Sequence, residues 1–267
     1  MLYNDVSIDK GDNMLFDTHT HLNAEDFDEI LDDVLERAKL AGVSYMIVVG
    51  FDKGTNKKAI DIASRYPNIY ASVGFHPTIA HEVKDEDYKV LEEQLESPCV
   101  VAVGECGLDL HWNKDTLDAQ IDVFKRQIDL SKKLDKPLII HMRDVTEKMY
   151  ETLKPYKTLR GIMHAFPSSP QMAEKFIELG LHISLGGPVT FKNAKMPKEV
   201  AKEVDLSKLL IETDCPYLSP HPFRGKRNEP ARVKLVAEEI SNLREVSFDE
   251  IAKQTTNNAF TLFGIEE

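Results

Sequence analysis

The chain predicts a TIM-type (β/α)8 barrel in a single domain. Short apolar runs alternate with amphipathic segments from residue 14 onward. Eight of the runs are short and apolar, as buried strands are. The length, 267 residues, suits a barrel of this kind. The competing fold is an open doubly wound sheet. No G-x-G-x-x-G or Walker loop follows any strand, which removes that fold's usual nucleotide signatures. With no internal repeat or low-complexity stretch, the expected division is a polar, aperiodic, flexible tail over 1–13 and one barrel over 14–267.

The first strand is Met14-Leu15-Phe16, running into Asp17-Thr18-His19-Thr20-His21. Phe27, Ile30, Leu31, Val34, Leu35 and Ala38 then recur at helical spacing. Tyr45 to Gly50 forms the second strand and a helix is expected over 54–66. Ile69 to Gly74 is the third strand, followed by a helix through Tyr88, Leu91 and Leu95. Val100 to Gly104 is the fourth, followed by Leu117, Ile121, Phe124 and Ile128 on a longer helix. Pro137 to His141 is the fifth and Gly161 to His164 the sixth, with a helix through Met149 and Leu153 between them. Met172, Ala173, Phe176 and Ile177 mark the next helix, which Gly180 should close from the position after the C-cap. His182 to Leu185 and Leu209 to Asp214 are the last two strands. One terminal helix carries Val233, Val236, Ala237 and Ile240. The other opens on the capping-box pattern Ser247-Phe248-Asp249-Glu250 and ends at Gly264.

Composition bounds the function. The chain is 42% hydrophobic, enough for a sizeable core, and no apolar run approaches the ~20 residues that span a bilayer. The N-terminus lacks the basic start and apolar centre of a signal peptide. Cys99, Cys106 and Cys215 are odd in number and form no C-x-x-C pair, so a reducing, cytoplasmic setting is expected. The net charge of −12 argues against a broad basic groove for duplex nucleic acid. It leaves room for local phosphate binding through arginines and metal ions.

Chemistry-bearing residues gather at the strand ends, where a parallel barrel places its active site. Residues two apart on a strand share a face, so His19 and His21 should aim at one point, with Asp17 on the same side. Further ends carry His76, Glu105, His141, His164 and Asp214. A single buried histidine is more often a satisfied core residue than a ligand. Recurrence on strand after strand makes a ligand set. Six ligands exceed the needs of one catalytic zinc and suit two divalent ions, zinc, manganese or magnesium. Glu105 is expected to bridge them. His19, His21 and Asp214 would complete one metal, and His141 and His164 the other. Asp214 would take the proton of the attacking water as general base. Glu212 and Asp17 would orient the ligands. Asp109 divides between ordering its own Gly-rich turn and catalysis. His81, His182 and His221 are expected to be structural or on the surface, and Cys215 a small buried residue.

His19-x-His21, Gly74-Phe75-His76-Pro77, Gly104-Glu105-x-Gly107-Leu108-Asp109, Ile140-His141-x-Arg143, His164-x-Phe166, Glu212-Thr213-Asp214-x-Pro216, Arg224-Gly225-x-x-Asn228-x-Pro230 and Thr255-Thr256-x-Asn258 stand in order along nearly the whole chain. This series resembles the TatD family of metal-dependent deoxyribonucleases, within the amidohydrolase-like barrels. The resemblance implies a cytoplasmic hydrolase acting as a 3′→5′ exonuclease on DNA, single-stranded by preference, and supports the ligand roles above. His76 would contact the substrate phosphate or leaving group. Arg143 and Arg224 could grip phosphate bidentately, and Asn228 would add a weaker contact. Two departures stand out: Ala165 where a cysteine is common, and Leu110-His111 where a tyrosine often follows Gly-Leu-Asp, the second bearing on substrate preference.

Two other readings compete. One is a binuclear amidohydrolase or esterase acting on a small molecule or an aminoacyl ester of nucleic acid. Such barrels often bridge their metals with a carboxylated lysine, whereas Glu105 stands here. The other is a non-enzymatic barrel scaffold, which the full ligand set disfavours. DNA ends are the expected partner; no membrane and no obligate protein partner is indicated.

Overall fold

The computed structural model describes residues 14–112 and 114–266. The expected tail over 1–13 lies outside the described residues. Eight parallel strands pair in sequence order: β1 (Leu15–Thr20), β2 (Val43–Val49), β3 (Ile69–Val73), β4 (Val100–Asp109), β5 (Leu138–Arg143), β6 (Gly161–Met163), β7 (Leu181–Leu185) and β8 (Leu209–Ile211). The barrel closes through a parallel bridge between Thr20 and Cys215, beyond the end of β8. His21 N–H donates to Cys215 O at 2.8 Å and Asp214 N–H to His19 O at 2.9 Å. The seam of the barrel is therefore made by the backbone of the histidine pair itself, against Asp214 and Cys215.

The helices are α1 (Leu31–Leu40), α2 (Lys53–Ala63), α3 (Asp85–Leu95), α4 (Leu117–Leu134), α5 (Thr146–Leu153), α6 (Pro170–Glu178), α7 (Lys195–Glu203), α8 (Val233–Arg244) and α9 (Phe248–Phe263). Local signals set their ends. The Asp52 carboxylate caps α2, accepting from Thr55 N–H. Ser247 caps α9 by accepting from Glu250 N–H, which satisfies one of the orphan donors of the first turn. Gly180 follows α6 at φ 100°, a conformation that favours glycine. The sequence marks no stripe for α7, and its buried residues explain why: only Val200 and Ala201 face inward.

Alternation splits the strand side chains into two cores. Leu15, Met46, Val48, Ala71, Val73, Leu138 and Ile140 pack with the helices. Phe16, Ile47, Val49, Ala102, Ile139, Ile162 and Leu210 form the second cluster, joined by Ala259, Phe260, Leu262 and Phe263 of α9. The Phe16 ring meets Phe260 edge-on at 5.8 Å. Burying a side chain of this size contributes roughly 1.5–3 kcal/mol. Thr256 donates to Met14 O, and Asn258 to Leu206 O and Leu209 O, so α9 covers the N-terminal end of the barrel. The Thr255-Thr256-x-Asn258 motif is thereby tied to closure of the end remote from the histidines.

His182 sits half-buried near the start of β7, with Nδ1 lacking a partner. Burial, with Lys208 nearby, lowers its pKa to about 4. The unfolded chain protonates this imidazole near 6.5, so stability should be lost as pH falls from there toward 4. His182→Gln is expected to lose less stability than the wild type between pH 7 and pH 5, by on the order of 1 kcal/mol after allowance for solvent screening. Urea denaturation at the two pH values checks this.

Candidate metal centre

The centre is built on β4, whose course is set by glycine. Gly107 lies opposite His141 at φ 138°, and a Cβ there would stand 2.1 Å from His141 O. Only glycine allows so close an approach of β4 to β5. The β4/β5 register also shifts between Val103 and Cys106. Glu105 falls inside this irregularity, 4% exposed, and its two oxygens face different partners. Oε1 lies 2.9 Å from His141 Nδ1, 3.0 Å from His164 Nε2 and 3.4 Å from His76 Nε2. Oε2 lies 3.6 Å from both His19 Nε2 and His21 Nε2. Asp214 Oδ1 reaches the same two nitrogens at 3.7 and 3.3 Å. Asp214 holds a left-handed backbone, φ 55°, unusual for a non-glycine residue.

Neighbours fix which ring nitrogens face inward. His21 Nδ1 donates to Val49 O at 3.0 Å, since a carbonyl can only accept, and this turns Nε2 toward Asp214. His141 Nε2 donates to Asp109 Oδ2 at 2.9 Å, leaving Nδ1 toward Glu105. Burial raises the Asp109 pKa, but the bond from His141 and the backbone N–H of Trp112 outweigh it and bring it to about 2. Glu212 Oε1 accepts from Ala165 N–H at 2.7 Å and lies 3.4 Å from His164 Nδ1. That second separation is ion-pair distance without hydrogen-bond alignment, so His164 Nδ1 and Glu212 Oε2 lack hydrogen-bond partners.

The metal-free electrostatics follow from burial and crowding. Burial would raise the Glu105 pKa, yet the charges of His76 and His164 and the bonds from His141 and His164 hold it well below the usual range. Asp214 is lowered against its burial, chiefly by the His21 hydrogen bond. Burial opposes protonation of His164, but Glu105 overrides it and raises that imidazole well above its ordinary value. His21 and His141 are raised in the same way. In His19, burial prevails and the pKa is lowered.

The structure brings together all six residues expected as ligands and adds His76. Sequence reading gave His76 a substrate contact; its Nε2 lies within ligand reach of Glu105, while its Nδ1 accepts from Thr78 N–H. Glu212 lies 3.4 Å from the imidazole of His164, one of the expected ligands. Asp17 does not. The β1/β2 register slips between Asp17 and Thr20, which breaks strict alternation and separates Asp17 from the imidazole face. Its buried carboxylate instead accepts from Thr213 N–H at 2.9 Å and Thr213 Oγ1 at 2.6 Å, bracing the segment that ends in Asp214. Asn228 also departs from expectation. It is fully buried and donates to Thr213 O and Tyr217 O, so it ties the loop after β8 rather than facing a substrate. Arg143 and Arg224 stand on the rim, their guanidinium carbons 5.4 Å from the Trp112 ring centre and 4.2 Å from that of Phe191. Asp109 both orders its turn, accepting from His111 and Trp112 N–H, and holds His141. Its place four residues beyond Glu105 on the same strand was the available signal. The sequence reading did not single out Tyr217, whose ring centre lies 6.0 Å from that of His21.

These residues suit divalent cations. Three overlapping groups have ligand atoms within 4.8 Å of one another: His19, Glu105 and His164; His19, His21 and Asp214; His76, Glu105 and His141. His19 Nε2 and His21 Nε2 are 3.2 Å apart, as are His141 Nδ1 and His164 Nε2. Imidazole nitrogens converging this closely under burial, beside two carboxylates, suit a shared cation. Imidazole with carboxylate is also the donor set of hydrolytic metal sites.

Fold and site together define a metal-dependent hydrolase built on a (β/α)8 barrel. Residues 16–264 match the family model described as TatD related DNase, and the chain belongs to that family. It is 51% identical to the uncharacterized metal-dependent hydrolase YabD of Bacillus subtilis, over 94% of this chain and all of that one. It is 36% identical to YcfH of Escherichia coli K12, another uncharacterized metal-dependent hydrolase, over 94% and 96% of the two chains. The crystal structure of YjjV, a TatD homologue from E. coli K12, superposes with a TM-score of 0.88 at 33% identity, covering 94% and 98%.

Two outcomes test the centre. Asp109→Asn should lower divalent-metal affinity about 10- to 100-fold by loosening His141, with the fold retained. Because His21, His141 and His164 hold protons to higher pH than free histidine, metal binding must displace them. Affinity should therefore fall as pH is lowered, with protons released on binding. Titration calorimetry in buffers of different ionisation enthalpy measures both.

Proposed function

We propose that the protein is a divalent-metal-dependent phosphodiester hydrolase, acting as a 3′→5′ exonuclease on single-stranded DNA ends. The observation that carries this reading is the division of Glu105, with Oε1 facing His141, His164 and His76 and Oε2 facing His19 and His21. One carboxylate serving two ligand sets is the arrangement of a two-metal centre. His19, His21 and Asp214 would hold one ion, His141 and His164 the other, with Glu105 common to both. Zinc, manganese or magnesium is compatible with these donors. When bound, such ions stabilise charge on the phosphoryl oxygens and acidify a water at the site.

The chain's own groups supply the rest. Asp214 is ionised and faces the centre, so it takes the proton from the attacking water. His76 stands beside Glu105, placed to contact the phosphate or the departing oxygen. Arg143 and Arg224 offer guanidinium groups on the rim for flanking phosphates. The acidic chain, −12 overall, fits local gripping of a strand end better than a long duplex track. Three free cysteines, two of them buried, agree with a reducing, cytoplasmic setting. Among the described residues no helix is long and apolar enough to cross a membrane.

The test is digestion of a 5′-labelled single-stranded oligonucleotide by metal-stripped protein, with magnesium or manganese restored. A ladder shortening from the 3′ end is expected only with metal. Asp214→Asn and Glu105→Ala should each reduce kcat/KM on the order of 10³-fold or more. Digestion that survives both substitutions would overturn the site. No digestion by folded, metal-loaded wild type would overturn the substrate.

A further inference from the structure

Large apolar side chains left in solvent are few among the described residues: Leu40, Val90, Trp112, Met196, Tyr217 and Leu218. The two aromatic ones, Trp112 and Tyr217, are 65% and 56% exposed. Each stands three residues beyond an acidic residue of the site, Asp109 or Asp214, on a loop at the barrel mouth. Exposed aromatic surface gathered beside a catalytic centre marks a contact surface for ligand.

Trp112 is the better anchored of the two. Its backbone N–H donates to Asp109 Oδ1 at 2.9 Å, and Oδ2 of that carboxylate accepts from His141 Nε2 at 2.9 Å. One buried side chain therefore fixes the indole's loop and a cluster imidazole together. The indole is also propped. The His111 ring meets it edge-on at 4.9 Å, and His111 Nδ1 is held by Asp144 at 2.9 Å. The Arg143 guanidinium carbon lies 5.4 Å from the indole centre, and Arg143 forms no ion pair among the described residues. A flat apolar surface and an uncompensated cation thus stand side by side, two hydrogen bonds from the metal centre.

We propose that the Trp112 indole is the stacking platform for a nucleobase of the substrate, with Arg143 taking the adjoining phosphate. The inference rests on the phosphodiesterase reading above and names how that site recognises its strand. The ligand it fits carries an aromatic base beside a phosphodiester. Base–aromatic stacking is tolerant of base identity and contributes about 1–3 kcal/mol per base. It requires a base free of its own stack, which favours single strands over duplex. It also supplies affinity that an acidic protein does not gain from its overall field.

Trp112 is the only tryptophan in the chain, so intrinsic fluorescence reports on this position alone. The experiment uses the metal-loaded full chain, a labelled oligo-dT, and a base-free competitor of the same backbone built from tetrahydrofuran residues. Oligo-dT should quench the fluorescence and the base-free strand should not. Trp112→Ala should raise KM for oligo-dT about 5- to 150-fold, while the inhibition constant of the base-free competitor shifts less than about twofold. Trp112→Phe should recover most of the loss. Equal penalties on both strands, or no penalty on oligo-dT that the wild type digests, would overturn the platform alone. A wild type that digests no oligonucleotide would overturn the phosphodiesterase reading and the platform with it.

Discussion

A carboxylate buried at the mouth of a barrel must be compensated, and here five imidazoles do it. Glu105 stands 4% exposed with ring nitrogens of His19, His21, His76, His141 and His164 within 3.6 Å. Taking such a charge from water costs several kcal/mol unless opposite charge and hydrogen bonds return it. Much of the local backbone follows from that demand. Gly107 lets β4 draw close to β5 opposite His141. The bridge between Thr20 and Cys215 holds His21 and Asp214 across the seam. Asp17 locks Thr213 beneath Asp214, and Asp109 locks His141 from outside.

Much of this was legible in the sequence because barrels concentrate chemistry at one end of each strand. Knowing that His19, Glu105, His141, His164 and Asp214 end strands was enough to place them together, without knowing any distance. Period-two alternation then failed where the backbone is irregular. It placed Asp17 on the imidazole face, and a register slip in β1 moved it to Thr213. The apolar run of the fourth strand stops at Gly104, whereas β4 runs on to Asp109. Asn228 was read as a substrate contact, yet its amide is consumed by two carbonyls of its own loop. Loop residues are poorly read from sequence because their partners depend on tertiary geometry rather than on period. The helix between β7 and β8 escaped for a different reason, since a short helix with two buried residues leaves no stripe.

The two ends of the barrel divide stability from chemistry. Around Phe16, the rings of α9 seal the N-terminal end with apolar contacts. The opposite end holds the candidate ligands, and its rim carries Arg143, Arg224, Trp112 and Tyr217. The rigid end allows the mouth to keep a crowded polar cluster and a left-handed Asp214.

If Glu105 joins two cations, their spins are coupled through its carboxylate. Electron paramagnetic resonance of the manganese-loaded protein, with the metal content measured on the same sample, reads that coupling. Two manganese ions per chain with an exchange-coupled spectrum, reverting to isolated-ion lines in Glu105→Ala, is the predicted result. One ion per chain with an isolated spectrum in the wild type would contradict the bridge.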